Sequence, residues 1–512
     1  MIRWLSILLT VLFFALLTAC TSPAASPTPQ PLFTPSPPLP FTPTPPRSNT
    51  STPAPTLSPT PSPLPTRTPL PTPLPNTTQY TLDATLDYTG KTLTIAETIR
   101  YFNDTGQNLN ELLLVVEPNW TEGVFQLDEL TIEDTPVKNW TLSGNLLRLP
   151  LAAFLAANTE LTLSLTYRLT LPAQAGMLAY DQRGINLGNW YPFIPPYESG
   201  TGWLAYQKSW VGEHFSHPLA AYAITLTVLH APDNLVIAAS APVEQDANPE
   251  PNTTRYHFYL PLARSFALAL SPDFTVFQTT VGNVQILSYA YPETLAAGER
   301  AMQVTADALA LYNDLFGPYP HKTMAVVQVS FPDGMEFDGL YFLSEQYYWG
   351  YPPNPDRLTA AQNYLTIIAA HETSHQWWYA LTGNDQAIEP WLDETFATYT
   401  ERLFYEHYYP ELVDWWWAFR VDYYSPRDCC VNDTVYQYGD SRAYINAVYL
   451  RGAYFMQELR DTMGDEAFLA ALKTYAQRYR YGFVTAKDFW DVIGEYTNED
   501  LTILRQRYFG GG

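Results

Sequence analysis

Hydrophobic and polar residues alternate along much of the first half of the chain. The runs TLTIAETIRYF (92–102), LTLSLTYRLTL (161–171) and AYAITLTVLHA (221–231) place an apolar residue at roughly every second position. This spacing is typical of β-strands that bury one face. Helical spacing is nearly absent before residue 294. The pattern predicts an all-β domain of sandwich or saddle type over residues 79–280.

The apolar positions change to helical spacing beyond a boundary near residues 281–291. A helix is predicted over residues 295–317, and it is followed by two strand-like runs, TMAVVQVSF and GLYFLSE. A second long helix is predicted to begin near Asp356, to carry LTIIAAHETSHQWWYAL and to end at Gly383, because glycine adopts the left-handed conformation of a helix cap. The chain is therefore predicted to have an α+β multidomain fold, whose second domain, residues 281–512, is mostly helical with a small sheet.

The first twenty residues have the pattern of an export signal. Arg3 is positive, residues 4–17 are almost wholly apolar, and Leu-Thr-Ala-Cys ends the segment at Cys20. The segment resembles a bacterial lipoprotein signal peptide, which implies cleavage before Cys20 and lipidation of that residue. An uncleaved transmembrane anchor is the alternative, although the apolar run is shorter than the ~20 residues that span a bilayer. Both interpretations predict an extracytoplasmic protein attached to the cell membrane, through its lipid anchor in the first case.

A segment rich in proline, threonine and serine follows, over residues 21–78. Proline holds the backbone near the polyproline II conformation, so the segment is predicted to be a semi-rigid linker.

The charge and the cysteines exclude two classes of protein. Acidic residues outnumber basic ones by 51 to 27, and no basic run is long enough to follow a phosphate backbone, so no nucleic-acid partner is expected. Besides Cys20, the sequence has only the adjacent Cys429 and Cys430. These two residues are either free thiols or a vicinal disulfide, and a disulfide framework is excluded.

The sequence HETSH contains the candidate chemistry. On a helix, His371 and His375 lie one turn apart on the same face, where their imidazoles can share one metal ion. Glu372, next to the first histidine, can direct its carboxylate at a metal-bound water without being a ligand. A chance polar turn of a helix is the alternative.

A catalytic zinc site needs a third protein ligand and an open position for water. Glu394, in EPWLDETFATYTER, follows His375 after eighteen intervening residues, near the start of a helix that Pro390 can begin. Glu401 lies seven residues further on the same face, where it can accept a ring N–H from a ligand histidine. Glu401 as a solvated surface charge is the alternative.

HETSH followed after eighteen residues by Glu394 in WLDETFATY resembles the zinc signature of the aminopeptidase N family of gluzincin metallopeptidases. The resemblance covers residues 79–509 and implies a saddle-like β domain before a thermolysin-like catalytic domain. It also implies one zinc ion held by His371, His375 and Glu394, with Glu372 as the general base.

The resemblance extends to DGMEFDGL, which matches the Gly-x-Met-Glu-Asn motif on an edge strand of that family. Glu336 takes the position of the glutamate that binds the free α-amine of the substrate. Gly334 and Met335 are expected to lie along the substrate backbone, which can add to the sheet as a further strand. Two positions depart from the motif, because Asp333 replaces its first glycine and Phe337 replaces its asparagine.

The family also has a tyrosine, followed closely by a glycine, that stabilises the oxyanion of the tetrahedral intermediate. In INAVYLRGAYFM, Tyr449 precedes Gly452 by three residues, whereas Tyr444 has no glycine at that spacing. Tyr449 is therefore the predicted oxyanion donor, and a packed helix residue is the alternative. No motif identifies the residue of the β domain that completes the amine site, although LGNWYP (187–192) lies in the corresponding region.

Three functions are compatible with these residues. A zinc aminopeptidase acting on peptides outside the cytoplasm is the first, and a zinc endopeptidase of the same clan is the second. A catalytically silent peptide-binding lipoprotein is the third, and it is disfavoured because all three ligands and the base are present. The expected partners are peptide substrates and the membrane that holds the lipid anchor.

Overall fold

The computed structural model describes residues 76–246, 253–427 and 429–510. The predicted signal peptide, Cys20 with its predicted lipidation, and nearly all of the predicted linker lie outside the described residues. No helix in the described ranges combines the length and the apolar character needed to cross a membrane.

The first half of the described chain, which we call the β region, contains strands and almost no helix. Its strands are, in chain order, β1 (Thr78–Asp87), β2 (Thr92–Phe102), β3 (Leu109–Val115), β4 (Phe125–Ile132), β5 (Thr135–Pro136), β6 (Thr141–Ser143), β7 (Leu146–Leu155), β8 (Glu160–Thr170), β9 (Leu178–Tyr180), β10 (Ile185–Leu187), β11 (Tyr197–Glu198), β12 (Gly202–Trp203), β13 (Ala220–Leu229), β14 (Val236–Ala239), β15 (Glu244–Gln245), β16 (Thr253–Ala263) and β17 (Leu268–Ser271).

An eight-stranded sheet dominates the β region, in the order β15-β16-β13-β1-β2-β8-β4-β5. The three alternating runs of the sequence lie in β2, β8 and β13, and their apolar positions face a common core. Two smaller sheets, β3-β7-β6 and β14-β17-β10-β9, contribute side chains to the same core. The all-β prediction for this part of the fold is confirmed.

The remainder of the described chain, which we call the helical region, is mostly helical. Its strands are β18 (Thr275–Val281), β19 (Val284–Ala290), β20 (Thr323–Val329), β21 (Gly334–Phe337), β22 (Leu340–Ser344), β23 (Thr382–Asn384) and β24 (Gly482–Val484). Its α-helices are α1 (Leu295–Phe316), α2 (Glu345–Trp349), α3 (Tyr364–Ser374), α4 (Trp391–Tyr408), α5 (Val413–Trp416), α6 (Ser441–Tyr444), α7 (Gly452–Met463), α8 (Asp465–Arg478), α9 (Ala486–Tyr496) and α10 (Thr502–Tyr508). Two π-helical segments, Trp417–Val421 and Ile445–Arg451, extend α5 and α6.

Five strands of the helical region form one sheet in the order β18-β19-β20-β22-β21. Strand β18 pairs with β19, so the change from one sheet system to the other falls between β17 and β18, ahead of the predicted boundary at residue 281. Strand β21 is the last strand of this sheet, and it is antiparallel to β22. Helices α3 and α4 pack against each other beside it. The predicted α+β architecture is confirmed.

The helix that carries HETSH is shorter than predicted. It begins after Asn363, whose side chain accepts a hydrogen bond from the backbone of Thr366, and it ends at Ser374 rather than near Leu381. Trp377 and Trp378 are both fully buried. Beyond Ser374 the chain forms a turn, in which the backbone N–H groups of Trp377 and Trp378 donate hydrogen bonds to the carbonyl of Ser374.

Gly383 does not have the capping role that the sequence predicts. It lies within β23, and its φ is not positive, so it terminates no helix. The left-handed residue in this turn is instead Tyr379, with φ +129°. Further along the chain, Cys429 and Cys430 form a disulfide with each other.

Candidate active site

Three side chains converge where α3 meets α4. His371 lies in the last turn of α3, His375 lies at its C-cap, and Glu394 lies in the first turn of α4. The Oε2 atom of Glu394 is 3.1 Å from Nε2 of His371 and 3.6 Å from Nε2 of His375. Ligands at zinc-bond lengths of ~2.0–2.1 Å in a tetrahedron lie about 3.3 Å apart, so this donor set fits a zinc ion.

Electrostatics also fit a cation at this position. Burial opposes the ionisation of Glu394, but the two histidines outweigh burial and hold the pKa of this carboxyl below its usual value. Glu394 therefore supplies an anionic oxygen in a site that is almost closed to solvent.

The ring of His371 is oriented from its far side by Glu401. Nδ1 of His371 donates a hydrogen bond of 2.8 Å to Oε1 of Glu401, as the sequence predicts. Glu401 is fully buried, and it also accepts hydrogen bonds from Arg420 and from the indole of Trp416. Burial opposes ionisation here too, but Arg420 and His371 lower the pKa of Glu401. A charged Glu401 keeps the proton on Nδ1, which leaves the Nε2 lone pair for a metal.

His375 has a comparable arrangement that the sequence did not reveal. Its Nδ1 lies 3.0 Å from the carbonyl oxygen of Trp378 and 2.6 Å from Oδ1 of Asp393. Asp393 also accepts a hydrogen bond of 2.8 Å from Gln386. Asp393 is adjacent to Glu394 in WLDET, and this adjacency was the only available signal. Both histidines therefore direct Nε2 toward Glu394.

Glu372 lies in the same cleft, beside the start of β21. It is buried, and burial raises the pKa of its carboxyl well above the ordinary value. A Cβ atom at Gly334 would lie only 2.0 Å from Oε1 of Glu372. A side chain at position 334 would therefore displace the carboxylate of Glu372, so Gly334 lets the predicted base occupy this place.

Glu336 and Met335 lie on β21, at the edge of the sheet. Oε1 of Glu336 accepts a hydrogen bond of 3.2 Å from Gln386, the same amide that binds Asp393. Burial, opposed by His375 and reinforced by Asp393, raises the pKa of Glu336 to about 7. A buried carboxyl of this kind is stabilised as an anion by an incoming ammonium group.

The two departures from the strand motif have structural explanations. Asp333 has φ +81°, a conformation that favours the glycine of the motif. Its Oδ1 accepts hydrogen bonds from its neighbour Gly334 and from the hydroxyl of Tyr347, and these local bonds support the left-handed backbone. Phe337 is buried and packs against Phe342, so this position belongs to the core.

Tyr449 lies in the π-helical segment before α7, and its ring stacks on that of His371 with centroids 5.9 Å apart. A Cβ atom at Gly452 would lie 2.2 Å from Oγ1 of Thr395, so the glycine lets this segment approach α4 closely. The spacing between the tyrosine and the glycine thus has a packing reason. Tyr444 borders the same cleft, and its ring meets that of Tyr449 edge to face.

One acidic residue of the site comes from the β region and was missed by the sequence interpretation. Glu213 lines the cleft together with Glu336, Glu372 and Glu394. Burial, followed by the charges of Glu336 and Glu394, raises the pKa of Glu213 well above its ordinary value. No motif surrounds Glu213 in the sequence.

The LGNWYP segment (187–192) lies in the region where the resemblance places the residue that completes the amine site. It contributes mainly to the core of the β region. Asn189 lines the cleft, whereas Trp190 and Tyr191 are buried in that core. The cleft that receives Glu213 has a volume of about 880 Å³ and lies between the two regions.

The sequence of residues 300–508 matches the family model described as the peptidase family M1 domain. These residues form a peptidase family M1 domain. The predicted resemblance to the aminopeptidase N family of gluzincin metallopeptidases is thereby confirmed.

Relatives of this M1 domain include aminopeptidase M1-B of Oryza sativa subsp. japonica, which is 26% identical over 301 residues. That alignment covers 56% of this chain and 33% of the relative. Aminopeptidase N of Lactobacillus delbrueckii subsp. lactis is 28% identical over 221 residues, covering 40% of this chain and 25% of the relative. The matched part thus spans a third or less of the length of these two relatives.

The fold is similar to that of a solved structure, an M1 zinc metallopeptidase from Deinococcus radiodurans. The TM-score is 0.59 at 17% identity, and the match covers 86% of this chain and 96% of that one. The same enzyme has also been solved with a Tyr-Ser-Ala substrate, with a TM-score of 0.58. The likeness includes both the β region and the M1 domain, because it covers far more of the chain than residues 300–508.

Proposed function

We propose that the protein is a zinc aminopeptidase, which hydrolyses N-terminal residues from peptides. The observation that carries the proposal is the position of Glu213 and Glu336, two carboxylates in the same cleft as the ligand set His371, His375 and Glu394. Two carboxylates in a largely buried cleft suit a substrate ammonium group. The relatives named aminopeptidase support the same activity.

A zinc ion in this donor set would polarise the scissile carbonyl and acidify a water molecule. The chain itself performs the proton transfer. Glu372, buried beside the ligands, takes a proton from the attacking water and delivers it to the leaving amine.

Tyr449 and strand β21 orient the peptide. The ring of Tyr449 lies against His371, from where its hydroxyl can donate a hydrogen bond to the carbonyl oxygen as negative charge develops. The free edge of β21 can pair with the backbone of an extended peptide and fix its register. Because Gly334 lies beside Glu372 and Glu336 lies two residues further on, an antiparallel substrate has its amino end at Glu336.

The endopeptidase alternative is disfavoured by the same carboxylates. A peptide that continued beyond the amine position would bring neutral backbone groups against Glu213 and Glu336 in a largely buried cleft. An ammonium group pairs with these carboxylates as a cation, which neutral backbone cannot do, so an internal segment is a poorer occupant than an N-terminal amine.

Metal analysis of the protein tests the proposed centre. The unmutated chain should contain one zinc ion, and His375→Ala should lose it. Glu372→Gln should retain zinc and lower kcat by about 10²–10⁴-fold, the usual range for removing a general base. An unmutated protein without zinc, or a His375→Ala variant with full zinc content, would contradict the site. Undiminished turnover in Glu372→Gln would exclude that residue as the base.

We further propose that the protein is anchored outside the cytoplasm through a lipid on Cys20. The support is the sequence alone, in which a positive residue and an apolar run precede Leu-Thr-Ala-Cys, and a proline-rich linker follows. The variant Cys20→Ala should accumulate as an uncleaved precursor and should not be labelled by a fatty-acid probe in bacterial cells. Equal labelling of both proteins would refute lipidation at Cys20.

A further inference from the structure

A buried arginine of the β region reaches into the turn that follows the metal-binding helix. Arg264 comes directly after β16 and is only 2% exposed. Its Nε donates hydrogen bonds of 2.8 Å to the carbonyl of Tyr379 and 3.2 Å to that of Ala380. Its two terminal nitrogens donate to the carbonyls of His217, at 3.2 Å, and Gly482, at 2.5 Å. The guanidinium therefore holds backbone from three separate segments.

The backbone at Arg264 is also held in place by hydrogen bonds. Oδ2 of Asp338 accepts hydrogen bonds from the backbone N–H groups of Arg264 and Ser265, at 2.9 and 3.0 Å. On the far side, a Cβ atom at Gly383 would lie 2.3 Å from Cζ of Arg264. The absence of a side chain at Gly383 thus leaves the space that the guanidinium of Arg264 occupies.

The turn that Arg264 contacts is in an unfavourable conformation. Tyr379 is buried and has φ +129°, which side-chain-bearing residues rarely adopt. Such a conformation persists only where the surrounding structure holds it. The angle φ of Tyr379 sets how the preceding peptide group is turned, and that group contains the carbonyl of Trp378. This carbonyl lies 3.0 Å from Nδ1 of His375 and accepts a hydrogen bond from it, beside Oδ1 of Asp393, which lies 2.6 Å from the same nitrogen.

We propose that Arg264 is a positioning residue for the metal ligand His375. Arg264 fixes the carbonyl of Tyr379, the strained turn fixes the carbonyl of Trp378, and that carbonyl orients the imidazole of His375 toward Glu394. The inference rests on the proposed metal centre. It gives the β region a role in metal binding, in addition to its contribution of Glu213 to the cleft.

The hydrogen-bond pattern distinguishes this role from ordinary ion pairing. The guanidinium donates to carbonyl oxygens, whereas Oδ2 of the neighbouring Asp338 accepts from backbone N–H groups. Outer partners of metal-binding histidines commonly change metal affinity by 10–100-fold when they are removed. Arg264 acts through one more residue than such a partner, so a change at the lower end of this range is expected.

Zinc affinity and ligand geometry test the proposal in the full chain. In Arg264→Met, chelator competition should show zinc binding weakened by about tenfold, with full occupancy regained at saturating zinc. The visible absorption of the Co²⁺-substituted variant should differ from that of the unmutated protein, because these bands report the geometry of the ligands.

Arg460→Met is the matched control. Arg460 is also buried, but it pairs with Glu406 and Asp465 away from the turn.

The control should lower thermal stability while leaving zinc affinity and the cobalt spectrum unchanged. If Arg264→Met folds and matches the control in both measurements, the positioning role is wrong. If Arg264→Met does not fold, Gly383→Ala decides, since its methyl group displaces the guanidinium and should weaken zinc binding in the same way. Unchanged zinc affinity in Gly383→Ala would then overturn the proposal. A lack of zinc in the unmutated protein would instead overturn the metal centre itself.

Discussion

At the scale of single residues, we expect Glu336 and Glu213 to bind the N-terminal ammonium group of the substrate. Glu336→Ala should lower kcat/KM for peptides with a free N-terminus by roughly tenfold or more, because a charge-assisted hydrogen bond contributes ~1.5–3 kcal/mol. Glu213→Ala should also lower kcat/KM for peptides with a free N-terminus, since the carboxyl of Glu213 lies close to the charges of Glu336 and Glu394. The comparison of kcat/KM for free and N-acetylated versions of one peptide measures both effects.

Glu117→Gln provides a matched control for these carboxylates. Glu117 lines the same cleft, but its Oε1 is already occupied by His214, at 3.0 Å, and by Asn145. The control should leave the preference for a free amine unchanged. Equal cleavage of free and acetylated peptides by the unmutated protein, with no response to either alanine variant, would favour the endopeptidase alternative.

Several residue roles were accessible from local spacing, and others were not. His371 and His375 are one helical turn apart, and Glu401 follows Glu394 by two turns, so helical periodicity alone predicts that they lie together. Asp393 is adjacent in sequence to a predicted ligand, yet no pattern predicts that it contacts His375. This contact depends on the angle at which α4 meets α3, which is a property of tertiary packing.

At the scale of elements, the contact between α4 and the segment that carries Tyr449 depends on Gly452. In Gly452→Ala the new methyl group would overlap Thr395, whose hydroxyl donates to the carbonyl of Val448. Overpacking of this kind typically costs about 1–3 kcal/mol. Thr395 is next to the ligand Glu394, so kcat/KM should fall by about tenfold or more, together with the thermal midpoint Tm.

Gly494→Ala on α9 is the control for Gly452→Ala. It is also a helical glycine, but a Cβ atom at Gly494 meets nothing within 4 Å. The control should therefore raise stability by about 0.5–1 kcal/mol, through the higher helix propensity of alanine, and leave kcat/KM unchanged. Measured Tm and kcat/KM values that change equally in the two variants would show that packing against α4 is not the cause.

Element type was predicted better than element length. The alternating runs became β2, β8 and β13, and the helix predicted from residue 295 is α1. Helix α3, in contrast, ends at Ser374, well before the predicted end near Gly383. Periodicity describes one face of an element and contains no information on where the core requires the chain to turn.

At the scale of the whole molecule, the core of the β region contains a buried carboxyl. Glu97 on β2 is 1% exposed, and no ion pair among the described residues includes it. Burial raises the pKa of Glu97 well above the value of 4.5. Because this pKa is raised on folding, the contribution of Glu97 to the free energy of unfolding is fully present below pH 4.5. This contribution is lost as the pH rises from 4.5 toward the pKa of the folded state.

Replacing Glu97 with glutamine should remove this loss. The Tm of Glu97→Gln should be close to that of the unmutated protein near pH 4.5 and should exceed it increasingly at higher pH. The advantage should grow by about 1.4 kcal/mol per pH unit until the folded-state pKa is passed. Glu129→Gln, an exposed position on β4, controls for the removal of one negative charge. A pH-independent difference for Glu97→Gln would show that the buried carboxyl is not the cause.

The sequence by itself determined the type of the main elements, the zinc-ligand pattern and the family, because each is encoded in periodicity or in spacing within one helix or two consecutive helices. The tertiary structure alone decided that Glu213 enters the cleft, that Asp393 contacts His375 and that Arg264 supports the turn at Tyr379. Glu213 lies more than 100 residues before Glu336, and Arg264 lies 115 residues before Tyr379. Such contacts form when surfaces from distant parts of the chain pack together. Packing depends on the shapes of both surfaces, and a local sequence pattern in one segment contains no information on the shape of the other.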